Sequence, residues 1–221
     1  MDALRSRWRA ECAAVAPAAS PATVDAVGSD LLHRWREPHR RYHDVTHLAE
    51  VLTAVDTLCA SESVDGEDHR AASLAAWFHD AVYSVGSPDD NEAASAELAA
   101  SALTGLGVPA PLPTRVAGLV MDTATHDLGE DGAGDPDPAR VVVHDADLWV
   151  LSAPLARFDE YCRQVREEYA HLPSAAYALG RSQVLRPFLV RPHVYRSGHA
   201  REAWEPTARE NLARELTRLA G

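Results

Sequence analysis

Residues 75–83 of the chain read Ala-Ala-Trp-Phe-His-Asp-Ala-Val-Tyr, and this stretch decides the fold. The apolar residues around it recur with a helical period, which predicts a helix over about 68–83. Small alanines surround His79 and Asp80 on the face opposite the large side chains, and a helix that is apolar on nearly every side is buried among others. Because burying either polar group without a partner costs several kcal/mol, the pair predicts a metal ion held in a crevice between helices.

The rest of the chain keeps the same helical period, and neither a repeat nor an alternating strand pattern is present. The pattern predicts further helices over about 3–15, 22–36, 45–60, 91–106, 113–126, 139–151, 154–171, 174–191 and 201–219. Asp44 precedes one of them as an N-cap. A turn is predicted at 86–90, and an acidic loop rich in Gly and Pro at 127–138. We therefore predict one all-α domain, residues 1–221, built as a bundle of eight to ten helices.

Composition limits the possible partners. The net charge of −12 argues against a nucleic-acid polymer, because phosphate backbones bind basic faces, but a local arginine cluster or a metal still allows a small phosphorylated substrate. The chain contains no lysine, which excludes Schiff-base chemistry and a P-loop lysine. Its three cysteines are widely spaced, as in reduced proteins of the cytoplasm. No apolar run approaches the ~20 residues of a membrane span, so no membrane partner is expected.

Further metal ligands are found by asking which polar side chains face inward. His43 and His47 are spaced i, i+4, and His47 lies at the edge of the apolar face of its helix, where the imidazole can turn inward. His43 lies one turn back, at the mouth of the crevice. Asp147 shares a face with Val143, whereas Asp145 points the other way, so Asp147 is the preferred carboxylate and Asp145 the alternative.

Together these side chains form a mixed nitrogen and oxygen ligand set: His47, His79, Asp80 and Asp147. Two imidazoles and two carboxylates suit Mn²⁺, Fe²⁺, Co²⁺, Ni²⁺ or Zn²⁺ better than Ca²⁺. Helical bundles build metal sites in this way, from side chains on facing helices. The competing interpretation of His79 and Asp80 is a metal-free hydrogen-bonded pair or a polar pair on a helix surface.

The order H…HD…D on successive helices resembles the HD superfamily of metal-dependent phosphohydrolases. The resemblance covers about residues 30–215 and is closest to a bacterial subgroup of predicted HD-type phosphohydrolases. It rests on five stretches: 37–47, 76–83, 91–92, 144–148 and 180–189. It implies an HD-type bundle with a core at about 40–150 on which the helices of 154–219 pack. It also implies metal-dependent hydrolysis of a small phosphate ester, with nucleotides among the candidates.

Beside the ligands, other residues are candidates for roles in catalysis. Glu92 would position or deprotonate the attacking water, although a carboxylate in a first helical turn is also favoured by the helix dipole alone. His43 would guide protons, contact substrate or support a metal ligand, or it would merely cap the start of a helix. His126 would bind a second metal, as histidines in this interval do in some HD proteins, or simply end its helix. Three arginines are candidate phosphate ligands, unless they only cover the surface: Arg40, Arg41 and Arg181.

Two other classes of function compete with the hydrolase. Some HD folds hold a di-iron centre and activate oxygen, which requires two metal ions. A non-catalytic module would bind metal or nucleotide without turnover. Metal stoichiometry separates the first alternative from the hydrolase, and comparison with a His79→Ala variant separates the second.

Overall fold

A computed structural model of the protein describes residues 2–86, 90–126 and 137–221. Within these residues the chain forms α-helices, one short 3₁₀ helix at Leu148–Ser152, and no strand. The α-helices are α1 Asp2–Val15, α2 Pro21–Arg34, α3 Val45–Ser61, α4 Gly66–Phe78, α5 Asn91–Gly105, α6 Leu112–Asp122, α7 Pro138–Asp147, α8 Leu155–Glu168, α9 Ser174–Val190, α10 Gly198–Ala203 and α11 Glu205–Ala220. The prediction of an all-α bundle is confirmed. None of the described helices is both long enough and apolar enough to cross a bilayer.

Aspartates fix where the helices around the core begin. The carboxylate of Asp44 accepts hydrogen bonds from the backbone N–H groups of Thr46 at 2.7 Å and His47 at 3.4 Å. Asp65 and Asp137 cap α4 and α7 in the same way. Such a cap satisfies N–H groups that have no partner inside the helix. The predicted N-cap at Asp44 is confirmed, and it places His47 in the first turn of α3.

Helix α4 lies at the centre of the molecule and packs against α3, α5, α6 and α7. Its small residues are almost completely buried: Ala71, Ala72, Ala75 and Ala76. Alanines on several faces allow the neighbouring helices to approach closely, which is why one helix can have so many neighbours. At its C-terminal end Trp77 packs edge-on against Trp8 of α1, with ring centroids 5.3 Å apart.

Hydrogen bonds join the C-terminal part of the chain to the segment that follows α7. The side-chain amide of Asn211 in α11 donates to the carbonyl oxygens of Leu151 at 2.9 Å and Ala153 at 3.0 Å. Tyr195 donates its hydroxyl to the carbonyl of Leu148. These bonds tie the end of the chain to the 3₁₀ helix that follows α7.

The helix predicted over 68–83 ends earlier, at Phe78, and this corrects the placement of the His-Asp pair. His79 is the C-cap and Asp80 lies in the following turn. The turn is stable because Arg40 donates to the carbonyl oxygens of Asp80 at 2.8 Å and Ala81 at 3.2 Å. A side chain distant in sequence therefore satisfies backbone groups that a longer helix would have paired.

Other predicted helices also differ at their ends: the helix predicted over 113–126 ends at Asp122, so that His126 lies beyond it, and the helix predicted over 154–171 ends at Glu168. The helix predicted over 139–151 is α7 followed by the 3₁₀ helix, and the helix predicted over 201–219 is α10 and α11, divided at Trp204. The division is the reason that eleven α-helices are described. Most of the predicted acidic loop and part of the predicted turn, residues 127–136 and 87–89, lie outside the described residues. The three cysteines are buried and unpaired, as their spacing predicted.

Candidate metal centre

Four polar side chains converge where helix ends meet. His47 comes from the first turn of α3, His79 caps the C-terminus of α4, Asp80 follows it, and Asp147 is the last residue of α7. Since α3, α4 and α7 all pack against one another, these ends lie side by side. The fold thus brings together all four of the predicted ligands.

The distances between these groups are short. His47 Nε2 lies 3.1 Å from His79 Nε2, and Asp147 Oδ1 lies 3.2 Å and 3.5 Å from these two nitrogens. Asp80 Oδ2 lies 3.7 Å from His47 Nε2 and 3.4 Å from His79 Nε2. Both imidazoles are buried, and the carboxylates are only slightly exposed.

This spacing suits a transition-metal ion. Ligand atoms about 2.1 Å from a common ion stand roughly 3.0–3.4 Å apart at tetrahedral or cis-octahedral angles. The ligand atoms of His47, His79 and Asp147 all lie within 4.8 Å of one another. Asp80 is not part of this set, but its Oδ2 lies at similar range from the two histidine nitrogens. Two imidazole nitrogens and one carboxylate oxygen therefore share a common space with Asp80 beside them, and this donor set fits the predicted kind of cation.

The orientation of His79 is fixed by its other ring nitrogen. Nδ1 lies 2.9 Å from the carbonyl oxygen of Ala76, which can only accept, so Nδ1 carries the proton and donates. In the neutral ring this leaves the lone pair on Nε2, the atom that faces the cluster. A hydrogen bond of this kind is the usual support of a metal-bound histidine.

The charges of the cluster shift its pKa values in opposite directions. Burial alone would lower the pKa of His79, but the charges of Asp80 and Asp147 outweigh it and raise the pKa to about 9. Burial would raise the pKa of Asp147, but the charge of His79 and hydrogen bonds from His47 and His79 hold it well below its ordinary value. In the metal-free protein the cluster therefore retains a proton that a bound cation would displace.

Asp145 and Asp147 have separate roles. Asp145 is completely buried, and its carboxylate accepts hydrogen bonds from the backbone N–H groups of Arg196 at 2.9 Å and Ser197 at 2.8 Å and from the Ser197 hydroxyl at 2.7 Å. His144 Nδ1 lies 2.8 Å from the same carboxylate. Asp145 is thus occupied in holding the segment before α10, and Asp147 is the one that reaches the histidines.

His43 lies beside this cluster and is held by a residue that sequence reasoning missed. Its Nδ1 lies 2.7 Å from Glu168 Oε2, while Glu168 Oε1 accepts backbone N–H groups of Arg41, Tyr42 and His43 at 2.8–3.0 Å. Tyr83 donates its hydroxyl to Glu168 Oε2 at 2.9 Å. Burial would raise the pKa of Glu168, but the hydrogen bond and charge of His43 and the backbone donors lower it to about 2.

A signal for Glu168 existed in the sequence. It continues the buried stripe of α8, on which the other buried residues are Phe158, Tyr161, Cys162 and Val165. A carboxylate at the next inward position of an apolar helix face requires hydrogen-bond donors nearby. The donors come from a segment more than a hundred residues earlier, so the sequence pattern gave no indication of which atoms they are.

The three candidate arginines have different positions. Arg40 has a fully buried side chain that donates to Glu37 and to the carbonyl of His43 as well as to the turn after α4, so it clamps backbone segments. Arg41 donates to the carbonyls of Pro38 and Arg40, away from the cleft. Arg181 lines the cleft.

The cleft beside the cluster has a volume of about 270 Å³. Its polar lining includes Asp80, Asp147, His43, Glu92, His126 and Arg181. Arg181 donates to the hydroxyl of Tyr161, its guanidinium carbon lies 5.0 Å from the Tyr161 ring, and its buried Nε has no hydrogen-bond partner among the described residues. Within the described part of the chain no carboxylate pairs with Arg181, which makes it the natural contact for an anionic ligand.

His126 and Glu92 also line the cleft. His126 Nε2 lies 3.5 Å from Asp147 Oδ2, the carboxylate oxygen that the other two histidines do not face. Burial lowers the pKa of His126 to about 4. Glu92 lies in the first turn of α5 and lines the cleft, so both of its predicted roles remain compatible with its position.

Comparison of the chain with protein-family models, with curated proteins and with solved structures found no match.

Proposed function

We propose that this protein is a divalent-metal-dependent phosphohydrolase of the HD type that cleaves a small phosphate ester. The observation that carries the proposal is the convergence of His47, His79 and Asp147 at ligand distances, with Asp80 facing the same two histidines, beside a cleft lined by an arginine that has no carboxylate partner among the described residues. A cation-binding cluster next to an anion contact is the arrangement that hydrolysis of a phosphate ester needs. The H…HD…D order of the HD superfamily supports the same assignment.

The four ligand residues would hold Mn²⁺, Fe²⁺, Co²⁺, Ni²⁺ or Zn²⁺, each of which accepts mixed nitrogen and oxygen ligands. When bound, such an ion lowers the pKa of water and polarises a phosphoryl oxygen. Arg181 holds an anionic oxygen of the substrate by a charge-assisted hydrogen bond. One terminal nitrogen of Arg181 donates to the Tyr161 hydroxyl and the side chain lines the cleft, so its other terminal nitrogen would make this contact.

Proton transfer is assigned to His43. Its Nδ1 is engaged by Glu168, which leaves Nε2 for the cleft. A carboxylate behind an imidazole fixes its tautomer and stabilises the protonated ring, as a general base or acid requires. Glu92 is the second candidate for this role, since it lines the same cleft.

The test combines metal analysis with hydrolysis. Wild type and His69→Ala, which removes an exposed imidazole paired with Asp56 away from the cleft, are expected to bind the metal and hydrolyse members of a panel of nucleotides, sugar phosphates and phosphate monoesters of apolar alcohols. His79→Ala and Asp80→Ala are expected to lose stoichiometric metal and at least about 100-fold in rate. Wild-type activity no higher than that of His79→Ala across the panel would contradict the hydrolase and favour a binding module without turnover.

One observation favours a second candidate, an oxygen-activating enzyme with two iron ions. The two carboxylate oxygens of Asp147 face different histidines, His126 on one side and the His47–His79 pair on the other. Two iron ions per chain, reduced to one in His126→Ala, together with oxygen consumption, would support that candidate. A single ion whose amount is unchanged in His126→Ala would exclude it.

A further inference from the structure

Beside the cluster of His47, His79, Asp80 and Asp147, the lining of the cleft changes from charged to apolar side chains. Its apolar part consists of Leu148, Val150, Leu151, Val165, Val184, Leu185 and Phe188. The Phe188 ring lies 6.1 Å from the ring of His126, which lines the cleft beside the cluster. The Tyr42 ring lies 4.7 Å from the ring of His47, which belongs to the cluster. Aromatic side chains therefore border both histidines. Tyr161 extends the aromatic side, with its ring 4.5 Å from that of Tyr42.

Several neutral polar groups that line the cleft are already engaged within the protein. The side-chain amide of Asn91 bonds both the N–H and the carbonyl of Ser84. Thr123 donates its hydroxyl to the carbonyl of Val120 at 2.8 Å, and Tyr83 donates its hydroxyl to Glu168. The hydroxyls of Tyr42 and Tyr161 lie on the aromatic side, whereas the lining residues of α9 from Val184 onward and of the 3₁₀ helix have apolar side chains that offer a ligand no hydrogen-bond partner.

From this lining we infer the substrate class: a phosphate monoester of a small, apolar alcohol that carries an aromatic ring. The inference rests on the proposed hydrolase function and deepens it. The phosphate belongs at the cluster and Arg181, and the organic part lies against α9 and the 3₁₀ helix. A volume of about 270 Å³ lies just below the roughly 300–1,000 Å³ of pockets for drug-sized ligands, so a small alcohol is enough to fill it.

A sugar phosphate fits this wall poorly. Each sugar hydroxyl that is pressed against the apolar part of the wall would lose its bonds to water without gaining a partner, which carries a free-energy penalty. The discrimination then follows from the lining alone, since the phosphate end is the same in both kinds of ester. The measurements therefore keep the phosphate group constant and vary either the organic part of the ester or the wall.

The first measurement compares esters with similar leaving groups. Benzyl phosphate, glycerol 1-phosphate and ribose 5-phosphate are all esters of primary alcohols, so differences in kcat/KM report mainly on contacts with the organic part. With metal-loaded wild type, kcat/KM for benzyl phosphate is expected to exceed the other two by roughly tenfold or more. Equal values, or a preference for ribose 5-phosphate, would overturn the substrate class while leaving the hydrolase in place.

The second measurement changes the wall. Val184 lines the cleft but is half exposed, so Val184→Asn is tolerated by the fold; Leu179, exposed on the same helix and outside the cleft, provides Leu179→Asn as the matched control. Val184→Asn is expected to raise KM for benzyl phosphate about three- to tenfold with kcat nearly unchanged, and to raise KM for glycerol 1-phosphate much less. An equal effect of both variants, or an equal effect on both esters, would contradict the inference.

The third measurement separates this inference from the proposed function. Benzylphosphonate, which cannot be hydrolysed, is titrated calorimetrically into the metal-loaded protein beside 2,3-dihydroxypropylphosphonate. Tighter binding of the benzyl compound without hydrolysis of any ester would support the wall assignment and refute the hydrolase. Equal binding of both compounds would refute the wall assignment whatever the hydrolysis assay gives.

Discussion

Asp145 and Asp147 are two positions apart at the end of α7. The Asp145 carboxylate accepts hydrogen bonds from the segment before α10, whereas the Asp147 carboxylate faces His47 and His79. The difference comes from direction, since a step of two residues on a helix rotates a side chain by about 200°. The same rotation underlies the preference for Asp147 in the sequence, where it shares a face with Val143. The structure agrees with that preference, and metal ligation by Asp147 remains a prediction.

Two matched substitutions test this division of roles. Asp145→Asn is expected to lower the free energy of unfolding by about 3 kcal/mol, because it weakens charge-assisted bonds from buried donors, while the folded protein keeps its metal. Asp147→Asn is expected to lower metal affinity at least about 100-fold. Urea unfolding and elemental analysis of both variants provide the check. Loss of metal from folded Asp145→Asn, with metal retained by Asp147→Asn, would reverse the assignment.

Glu168 is the residue whose titration stabilises the fold most clearly. Its pKa of about 2 in the folded protein lies below the ordinary 4.5, so its contribution is present above pH 4.5 and is lost as the pH falls toward 2. Relative to Glu168→Gln, the metal-free wild type is expected to be more stable by about 3 kcal/mol at neutral pH. Unfolding by urea at a series of pH values measures the difference, which should shrink between pH 4.5 and 2. A pH-independent difference would contradict the assignment.

At the scale of elements, the close approach of α1 and α2 depends on a glycine. A Cβ added to Gly28 would stand 2.4 Å from Cδ1 of Trp8, whereas a Cβ added to Gly118 in α6 would meet nothing within 4 Å. The Trp8 ring cannot move easily, because its Nε1 donates to the carbonyl of Val24 at 2.9 Å and its face packs on Trp77. The close packing of α1 on α2 therefore requires glycine at position 28.

Alanine substitution at the two glycines should have opposite effects. Gly28→Ala is expected to lower the free energy of unfolding by about 1–3 kcal/mol through overpacking. Gly118→Ala is expected to raise it by about 0.5–1 kcal/mol, since alanine is the better helix former at an open position. Parallel urea titrations of the two variants measure both signs. A neutral Gly28→Ala would mean that α1 and α2 can separate at little cost.

The element scale also marks the limit of prediction from the sequence. Periodicity located the helices, and the Asp44 cap fixed the start of α3, because both signals are local. The end of α4 at Phe78 was missed because Arg40, some forty residues earlier, bonds the carbonyls that follow. The same distance in sequence hid the true position of Arg40 itself, a clamp on the backbone rather than a side chain in the cleft.

At the scale of the whole molecule, the C-terminal helices are coupled to the core through Asn211. Asn211→Ala would leave the carbonyls of Leu151 and Ala153 without their donor, at a cost of about 2 kcal/mol. If the chain unfolds as one unit, hydrogen exchange that follows global unfolding should accelerate in peptides of α4 and α11 alike. Acceleration confined to α11 would show that the C-terminal helices open independently and would contradict the predicted single domain.

The candidate site was more predictable than its surroundings for a related reason. His47, His79, Asp80 and Asp147 are polar residues at inward positions, and each is visible within its own helix pattern. The roles of Tyr83 and the apolar wall, and the identity of the groups that bond Glu168, depend on tertiary packing. The sequence therefore indicates the polar cluster and says little about the surface that would select a substrate.

The position of the cluster at helix ends has a consequence for the order of binding. Both α4 and α7 direct their C-termini toward it, and a helix C-terminus carries roughly half a negative charge. The carboxylates of Asp80 and Asp147 add to this negative charge, while the N-terminus of α3 beside His47 opposes it. Under the proposed function a bound cation would make the local potential positive, so we expect compulsory-order binding, with the metal ion first and the ester second.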